Sequence, residues 1–199
     1  MKHRPYSPSR RNFLYSTIAL GGGLSILPSA APAEKELAII PKIGKGQWYQ
    51  KPLRILQTVL RESDARNYDA QSVVNYMQQA HCNVLVVNAG GIVDFFQNPL
   101  PAANVNPFMG SRDILREISD HCKAVGIRVI VRVDFRGVEE HIFKKHPEWF
   151  SYNPDGSPLQ LSYTRPQLYA SCYTGQYRND HAIDFIKYLF THYAIDGIW

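Results

Sequence analysis

Two charged side chains close a run of β-branched residues in the middle of the chain. Residues 127–135 read Ile-Arg-Val-Ile-Val-Arg-Val-Asp-Phe, so Arg132 and Asp134 share one face of a predicted strand and the valines share the other. A carboxylate at the end of a buried strand can bind a ligand hydroxyl or orient a catalytic group. The competing interpretation is an ion pair between Asp134 and Arg132, two residues away on the same face. Asp134 is therefore the candidate catalytic residue, and Arg132 is a candidate binding residue.

Polar residues also follow the two strands predicted before this one. Asn88 ends the predicted strand Asn83–Asn88, where its amide can bind a ligand or cap a loop. Glu62 lies in the charged segment 60–66, at the end of the predicted strand Leu53–Leu60. We expect Asn88 and Glu62 to contact a ligand and the rest of segment 60–66 to be an exposed charged loop.

A long segment rich in proline and aromatic residues, Arg136–Arg178, follows the third strand, and we predict that it is a long loop without regular structure. Its candidate ligand-binding rings are Trp149, Phe150, Tyr152, Tyr163, Tyr169, Tyr173 and Tyr177. Loop aromatics either stack on a ligand or fill a small satellite core. We predict that Trp149 and Tyr173 bind the ligand, with Trp199 as a further candidate, and that the other rings pack internally.

The sequence predicts neither a metal site nor a cofactor. His141 and His146 are five residues apart and do not share a helix face. The three cysteines, Cys82, Cys122 and Cys172, are odd in number and lack the C-x-x-C spacing of zinc sites. Neither a Gly-x-Ser-x-Gly nucleophile motif nor a glycine-rich phosphate loop after the first strand is present.

The distribution of charge argues against nucleic acid as a partner. The chain of 199 residues has 22 basic and 17 acidic residues, a net charge of +5. Four of the basic residues, and none of the acidic ones, lie in the first 33 positions, which leaves 18 basic and 17 acidic residues in the remainder. A net charge of +1 gives no electrostatic reason to bind a polyanion. The chain also lacks an apolar run of the ~20 residues that a membrane span needs, which predicts no stable membrane anchor.

The first 33 residues have the organisation of an export signal. Arg10 and Arg11 precede Phe-Leu, a weakly apolar segment follows, and Ala31-Pro-Ala33 provides small residues for cleavage after Ala33. The paired arginines resemble a twin-arginine signal, which implies the Tat export machinery and a signal peptidase as partners. We expect a mature protein in the periplasm or outside the cell, with residues 34–52 as a lead-in to the folded domain.

Strands and helices alternate through the predicted domain, residues 53–199. Periodicity predicts helices over Asp69–Ala80, Arg112–Val125 and Asp180–Tyr193, between strands at 53–60, 83–88, 127–135 and 195–199. This alternation is typical of a parallel sheet covered by helices, either a doubly wound open sheet or the first half of a (β/α)8 barrel. The polar face of the third strand favours the barrel, because barrel active sites lie at the C-terminal strand ends. The expected fold class is therefore α/β, the N-terminal half (strands 1 to 4) of a TIM barrel truncated at its C-terminus.

Several segments, taken together with their order and spacing, resemble a known family. They are 60–69 (LRESDARNYD), 83–91 (NVLVVNAGG), 110–115 (GSRDIL), 126–135 (GIRVIVRVDF), 146–150 (HPEWF) with Asp155-Gly156, and 195–199 (IDGIW). On these segments the chain is similar to the "hypothetical glycosyl hydrolase" family of bacterial TIM barrels, relatives of α-L-fucosidase and α-amylase-like barrels.

The resemblance implies hydrolysis of a glycosidic bond in a carbohydrate substrate by two carboxylates. In related barrels the nucleophile stands at the end of strand four, just after a segment like Asp196-Gly-Ile-Trp199. The nucleophile and the acid/base residue are therefore expected beyond residue 199, and the 199-residue chain alone is expected to be inactive. The alternative is a non-catalytic carbohydrate-binding barrel or an inactive gene remnant. A barrel hydrolase acting on amides or esters would need metal ligands or a nucleophile that the sequence does not offer.

Overall fold

The computed structural model describes residues 47–162 and 165–199. The export-signal residues Arg10, Arg11 and Ala33 lie outside the described residues, as do Tyr163 and most of the lead-in. Within the described ranges, no helix combines the length and the apolar character that crossing a membrane requires.

A four-stranded parallel sheet is the centre of the fold. In the part of the chain that the structure describes, the strands are β1 (Ile55–Thr58), β2 (Val84–Gly90), β3 (Arg128–Val133), β4 (Gly137–Val138), β5 (Gln160–Ser162), β6 (Arg165–Ala170) and β7 (Gly197–Ile198). In the central sheet the order is β1-β2-β3-β7, and every neighbouring pair is parallel. The prediction of an α/β fold with a parallel sheet is confirmed.

Three helices predicted from the sequence separate the strands of this sheet and lie within their predicted bounds, and a fourth, short helix was not predicted. The α-helices are α1 (Ala70–Gln79), α2 (Ile114–Ala124), α3 (Glu140–Lys145) and α4 (Ala182–His192). Asp69 caps α1 by accepting a hydrogen bond from the Gln71 amide at 3.0 Å, and Asp113 caps α2 through the Arg116 amide at 2.8 Å. Gly126 follows α2 with a φ of 76°, the left-handed conformation that commonly ends a helix.

The helices cover one face of the central sheet. Buried side chains of this core come from β2 (Leu85, Val87), β3 (Val129, Val131), α1 (Val74, Met77), α2 (Ile114, Leu115, Ile118, Cys122) and α4 (Phe185, Leu189). The valine face of β3 therefore packs against helices, as its alternation predicts. Burial raises the pKa of Cys122 to about 12, so this thiol behaves as a small apolar side chain. The opposite face of β3 carries Arg132 and leads to Asp134.

The prediction that Arg136–Arg178 lacks regular structure is wrong. This segment forms a three-stranded antiparallel sheet in the order β4-β6-β5, with α3 and a short 3-10 helix (Pro147–Trp149) between β4 and β5. The strands contain only two to six residues and are joined by prolines and turns, so no period is sustained long enough to read from the sequence. A second apolar cluster, which includes Val138, Ile142, Phe150 and Tyr177, holds this segment together. A π-helical turn (Tyr177–His181) then leads into α4.

Candidate functional site

The C-terminal ends of β1, β2 and β3 open into a cleft of about 610 Å³. Residues after β1 (59–63), residues at and after the end of β2 (88–95), and charged residues at the end of β3 line it. Parallel strands bring these three segments to the same edge of the sheet, which is where open α/β folds and barrels bind ligands. We define this feature as the strand-end cleft.

Asp134 lies in the strand-end cleft and is held by an arginine. The Arg136 side chain donates from Nε to Oδ1 at 2.9 Å and from Nη2 to Oδ2 at 2.7 Å, and the Arg136 amide donates to Oδ1 at 3.1 Å. Burial raises the pKa of Asp134, but the hydrogen bonds and charge of Arg136, with a smaller contribution from the charge of Arg132, outweigh it and lower the pKa below its ordinary value. Asp134 is therefore an ionised carboxylate whose two oxygens already accept hydrogen bonds.

The arginine that pairs with Asp134 is not the one that strand alternation suggests. Arg132 shares the strand face with Asp134, but β3 ends at Val133. The chain then turns, and the Arg136 amide bonds to the side chain two residues before it, in the manner of an Asx turn. Arg136 lines the cleft and was not among the residues predicted for the site.

Asn88 and Arg132 lie side by side in the cleft. They are register partners on the adjacent parallel strands β2 and β3. The Asn88 Oδ1 accepts a hydrogen bond from the Leu60 amide at 3.3 Å, which fixes the segment after β1 to the end of β2. Asn88 therefore has the loop-capping role and also lines the cleft.

Glu62 lies at the rim of the cleft with Arg61 and Ser63. The segment Glu62–Asn67 forms a 3-10 helix, and the Arg61 amide donates to the Asp64 carboxylate at 2.8 Å. The Glu62 backbone carbonyl accepts from Asn106 at 3.0 Å, while its side chain is exposed. The structure therefore brings Glu62, Asn88, Arg132 and Asp134 to one cleft.

A pair of glycines determines how closely β2 and β3 approach at the cleft. The Asp134 amide donates to the Gly90 carbonyl at 2.9 Å. Gly91 has a φ of 107°, and a Cβ there would overlap the Asp134 backbone, whose nitrogen would be 2.8 Å away. Only glycine therefore fits at Gly91, and the Gly-Gly pair after a strand was the sequence signal for this close approach.

Asp94 is a fully buried carboxylate near the site, and it was not predicted from the sequence. It accepts hydrogen bonds from the Gly91 amide at 3.2 Å, from the Asn98 side chain at 2.8 Å and from the Asn104 amide at 2.9 Å. Burial raises its pKa, although these three hydrogen bonds oppose the shift. Asp94 is a positioning residue that folds the loop after β2.

The aromatic side chains predicted to bind the ligand are not among the residues that line the cleft. Trp149 stacks on His146 with ring centroids 3.8 Å apart. Tyr173 is 76% exposed and lies under the Arg178 guanidinium, 4.0 Å from its carbon. Trp199 is 65% exposed, and its amide donates to the Val131 carbonyl at 2.8 Å. Ligand binding by these three rings stays a prediction.

The described residues offer no metal centre. Among residues 47–162 and 165–199, no group of three or more His, Cys, Asp or Glu side chains is arranged to hold a metal ion. His141 and His146 each lie within 4 Å of a glutamate, Glu139 and Glu148.

A family model matches the part of the chain that contains β2, β3 and β7. The model described as "Hypothetical glycosyl hydrolase 6" matches residues 69–199, about two thirds of the chain. The chain belongs to the hypothetical glycosyl hydrolase 6 family. The resemblance drawn from the sequence is thereby confirmed. No curated protein matches the chain.

Solved structures similar to this hypothetical glycosyl hydrolase 6 chain share its fold at low identity. They include α-L-fucosidase isoenzyme 2 from Paenibacillus thiaminolyticus (TM-score 0.58, 20% identity, covering 74% of this chain and 23% of that one). An α-amylase from Lactobacillus plantarum matches with a TM-score of 0.53 and 17% identity over 72% of this chain and 37% of that one. The α-galactosidase TtGalA from Thermus thermophilus matches with a TM-score of 0.50 and 14% identity over 74% of this chain and 30% of that one. The chain therefore spans well under half the length of these structures.

Proposed function

We propose that the chain is the N-terminal half of a (β/α)8 barrel in an exported glycoside hydrolase-like protein. The sequential order β1-β2-β3-β7 supports the barrel, because a doubly wound sheet reverses its strand order at a switch point. Helices on one face of the sheet, and polar residues at the strand ends on the other, are typical of barrel active sites. The names of the similar structures, a fucosidase, an amylase and a galactosidase, agree with a carbohydrate substrate.

The observation that carries this proposal is the strand-end cleft with its ionised Asp134. In our proposal Asp134 accepts a hydrogen bond from a sugar hydroxyl or orients a catalytic group, and Asn88 and Glu62 provide further polar contacts. Hydrolysis proceeds by carboxylate acid/base catalysis, with the nucleophile and the proton donor contributed by residues beyond Trp199. The occupied oxygens and lowered pKa of Asp134 support this division, because a proton donor requires a raised pKa.

Export through the twin-arginine pathway is part of the same proposal. Arg10-Arg11 and the Ala31-Pro-Ala33 segment support recognition by the Tat machinery and cleavage after Ala33. Such a protein acts in the periplasm or outside the cell. Replacing both arginines by lysine is expected to retain the protein in the cytoplasm. An amount of the variant in the periplasmic fraction equal to that of the unchanged protein would contradict export by this route.

The function is tested by glycan binding and hydrolysis with the full encoded chain. We expect binding of oligosaccharides and, for Asp134→Asn, a loss of affinity of about tenfold or more, since the amide cannot accept hydrogen bonds on both atoms. Asp184→Asn, which changes an exposed carboxylate on α4, is the matched control and is expected to bind normally. Isothermal titration calorimetry against a panel of oligosaccharides measures both. Binding that is equal in the two variants would contradict the role of Asp134.

The alternative is a non-catalytic carbohydrate-binding barrel or an inactive gene remnant. The ion pair between Asp134 and Arg136 favours this alternative, because it leaves Asp134 as a binding group and not as a reacting one. The coding DNA after the Trp199 codon discriminates between the two. An open frame with an Asp or Glu codon a few positions on, together with measurable glycosidase activity, supports the enzyme. Binding without hydrolysis by the full encoded chain supports the binding barrel.

A further inference from the structure

The charges that line the strand-end cleft are unbalanced. Three arginines, Arg61, Arg132 and Arg136, line it together with two carboxylates, Glu62 and Asp134. A concave site with a cationic excess attracts anionic ligands and raises their local concentration.

The three arginines differ in how far their positive charge is already paired or screened. Arg136 is committed to Asp134, with two side-chain nitrogens on the two carboxylate oxygens. Arg61 and Glu62 are exposed neighbours at the rim, where charges are screened by solvent. Arg132 is therefore the arginine of this cleft whose charge is available to a ligand.

Arg132 is half-buried on the cleft side of β3. Its guanidinium forms no ion pair within residues 47–162 and 165–199, whereas Arg112, Arg128 and Arg136 each pair with a carboxylate. A partly desolvated guanidinium is stabilised by a planar anion that accepts two parallel hydrogen bonds, such as a carboxylate or a sulfate.

Asn88 adds a second donor beside Arg132. Its Oδ1 is used by the Leu60 amide, so the group left for a ligand is the side-chain NH2. Asn88 and Arg132 are register partners on neighbouring strands and therefore present donors next to each other. Two adjacent donors favour an oxygen-rich anion over a neutral hydroxyl, which also needs an acceptor.

We propose that the strand-end cleft recognises an anionic saccharide, one that carries a carboxylate or a sulfate group, with Arg132 as the anchor and the Asn88 amide as its neighbour. This inference rests on the proposed carbohydrate function and narrows its substrate class. Apolar side chains of the same cleft, among them Val59, Phe108 and Leu161, provide surface for the carbon skeleton of the sugar ring.

The test compares charged and neutral forms of the same sugars. A uronic acid tetrasaccharide is paired with its carboxyl-reduced form, and a sulfated tetrasaccharide with its desulfated form. Titration calorimetry of the full encoded chain is expected to give at least about tenfold tighter binding for one or both charged forms at low salt. Whichever pair shows the preference identifies the carboxylate or the sulfate as the group recognised.

Substitution then tests whether Arg132 is the anchor. Arg132→Met is expected to reduce the charged-over-neutral preference to less than about threefold, because it lowers affinity for the charged sugar much more than affinity for the neutral sugar. Arg132→Lys keeps the charge but loses the two-pronged geometry and is expected to keep an intermediate preference. Arg128→Met, at the other end of the same strand, is the control and is expected to keep the full preference. Thermal unfolding of each variant checks that it is folded.

The outcomes separate this inference from the proposed function. Equal binding of charged and neutral sugars leaves the carbohydrate function standing and overturns the anionic specificity. A failure to bind any sugar overturns both. If Arg132→Met lowers the affinity for charged and neutral sugars equally, Arg132 is not the anchor. If Arg132→Met does not fold, an Arg132→Lys variant that keeps the complete charged-over-neutral preference leads to the same conclusion.

Discussion

The two ends of strand β3 carry the same kind of ion pair. At its N-terminal end Arg128 pairs with Asp196 at 2.8 Å, and just past its C-terminal end Arg136 pairs with Asp134 at 2.7 Å. In each pair the arginine is about half exposed or more, and the carboxylate side chain is about one fifth exposed. Distance and exposure therefore do not distinguish the two pairs.

What distinguishes the pairs is which parts of the chain they connect. Asp196 precedes β7 and accepts hydrogen bonds from the Arg128 side chain and from the Val129 amide at 2.9 Å, so it ties β7 to β3 across more than 60 residues. The Asp134 side chain, in contrast, is bound by an arginine only two residues away. The N-terminal pair thus stabilises the sheet, whereas the C-terminal pair orients a carboxylate within the strand-end cleft.

Alanine substitutions of two glycines near these ends are expected to give the largest difference in the free energy of unfolding. Gly91→Ala introduces a Cβ against the Asp134 backbone at a φ of 107°, and we expect it to lower the free energy of unfolding by about 3 kcal/mol or more. Gly126→Ala, just before β3, has a φ of 76° but open space around the added carbon, and is expected to cost about 1 kcal/mol. Urea unfolding measures both. Equal losses would mean that the close approach of Gly91 to Asp134 has no cost of its own.

Replacing each carboxylate separates stability from binding. Asp196→Ala leaves the Val129 amide and Arg128 without their acceptor and is expected to cost about 1–2 kcal/mol. Asp134→Ala removes a local pair and is expected to cost less than about 1 kcal/mol, while weakening oligosaccharide binding. Urea unfolding and titration calorimetry on the same preparations check this. The comparison fails if Asp134→Ala costs as much stability as Asp196→Ala.

The same contrast explains how far the sequence predicts this molecule. Helices and parallel strands follow from sustained periods, and the cap at Asp69 follows from its residue type and position. The position of Asp134 at the end of β3 was predictable for the same reason. Its partner was not, because alternation along a strand points to Arg132, whereas the pair depends on where the strand stops and how the chain turns afterwards.

The aromatic residues illustrate a second limit. Trp149 and Tyr173 have the residue types expected of sugar-binding rings, but whether a ring faces the cleft depends on how the antiparallel sheet after β3 is placed. That sheet is built from strands of two to six residues, whose pairing is set by tertiary packing around Val138 and Phe150. Residue type alone therefore made these rings candidates for ligand binding but could not predict where they lie relative to the cleft.

The smallest expected effect is on the acid titration of Asp134. Its pKa in the folded chain lies below the ordinary value of 3.8, because Arg136 outweighs the effect of burial. A carboxyl group with a lowered folded pKa contributes stability above its unfolded pKa and loses it as the pH falls through the folded pKa. In Arg136→Met, Asp134 stays buried but loses the guanidinium that lowers its pKa, so this pKa is expected to rise above 3.8. The contribution of Asp134 to the free energy of unfolding at neutral pH then changes from stabilising to slightly destabilising.

Carboxyl NMR titration measures the pKa of Asp134 directly, and Arg128→Met is the control that is expected to leave it unchanged. An Asp134 pKa that stays below 3.8 in Arg136→Met would mean that the backbone and Arg132, rather than the Arg136 guanidinium, hold this carboxylate in its ionised form.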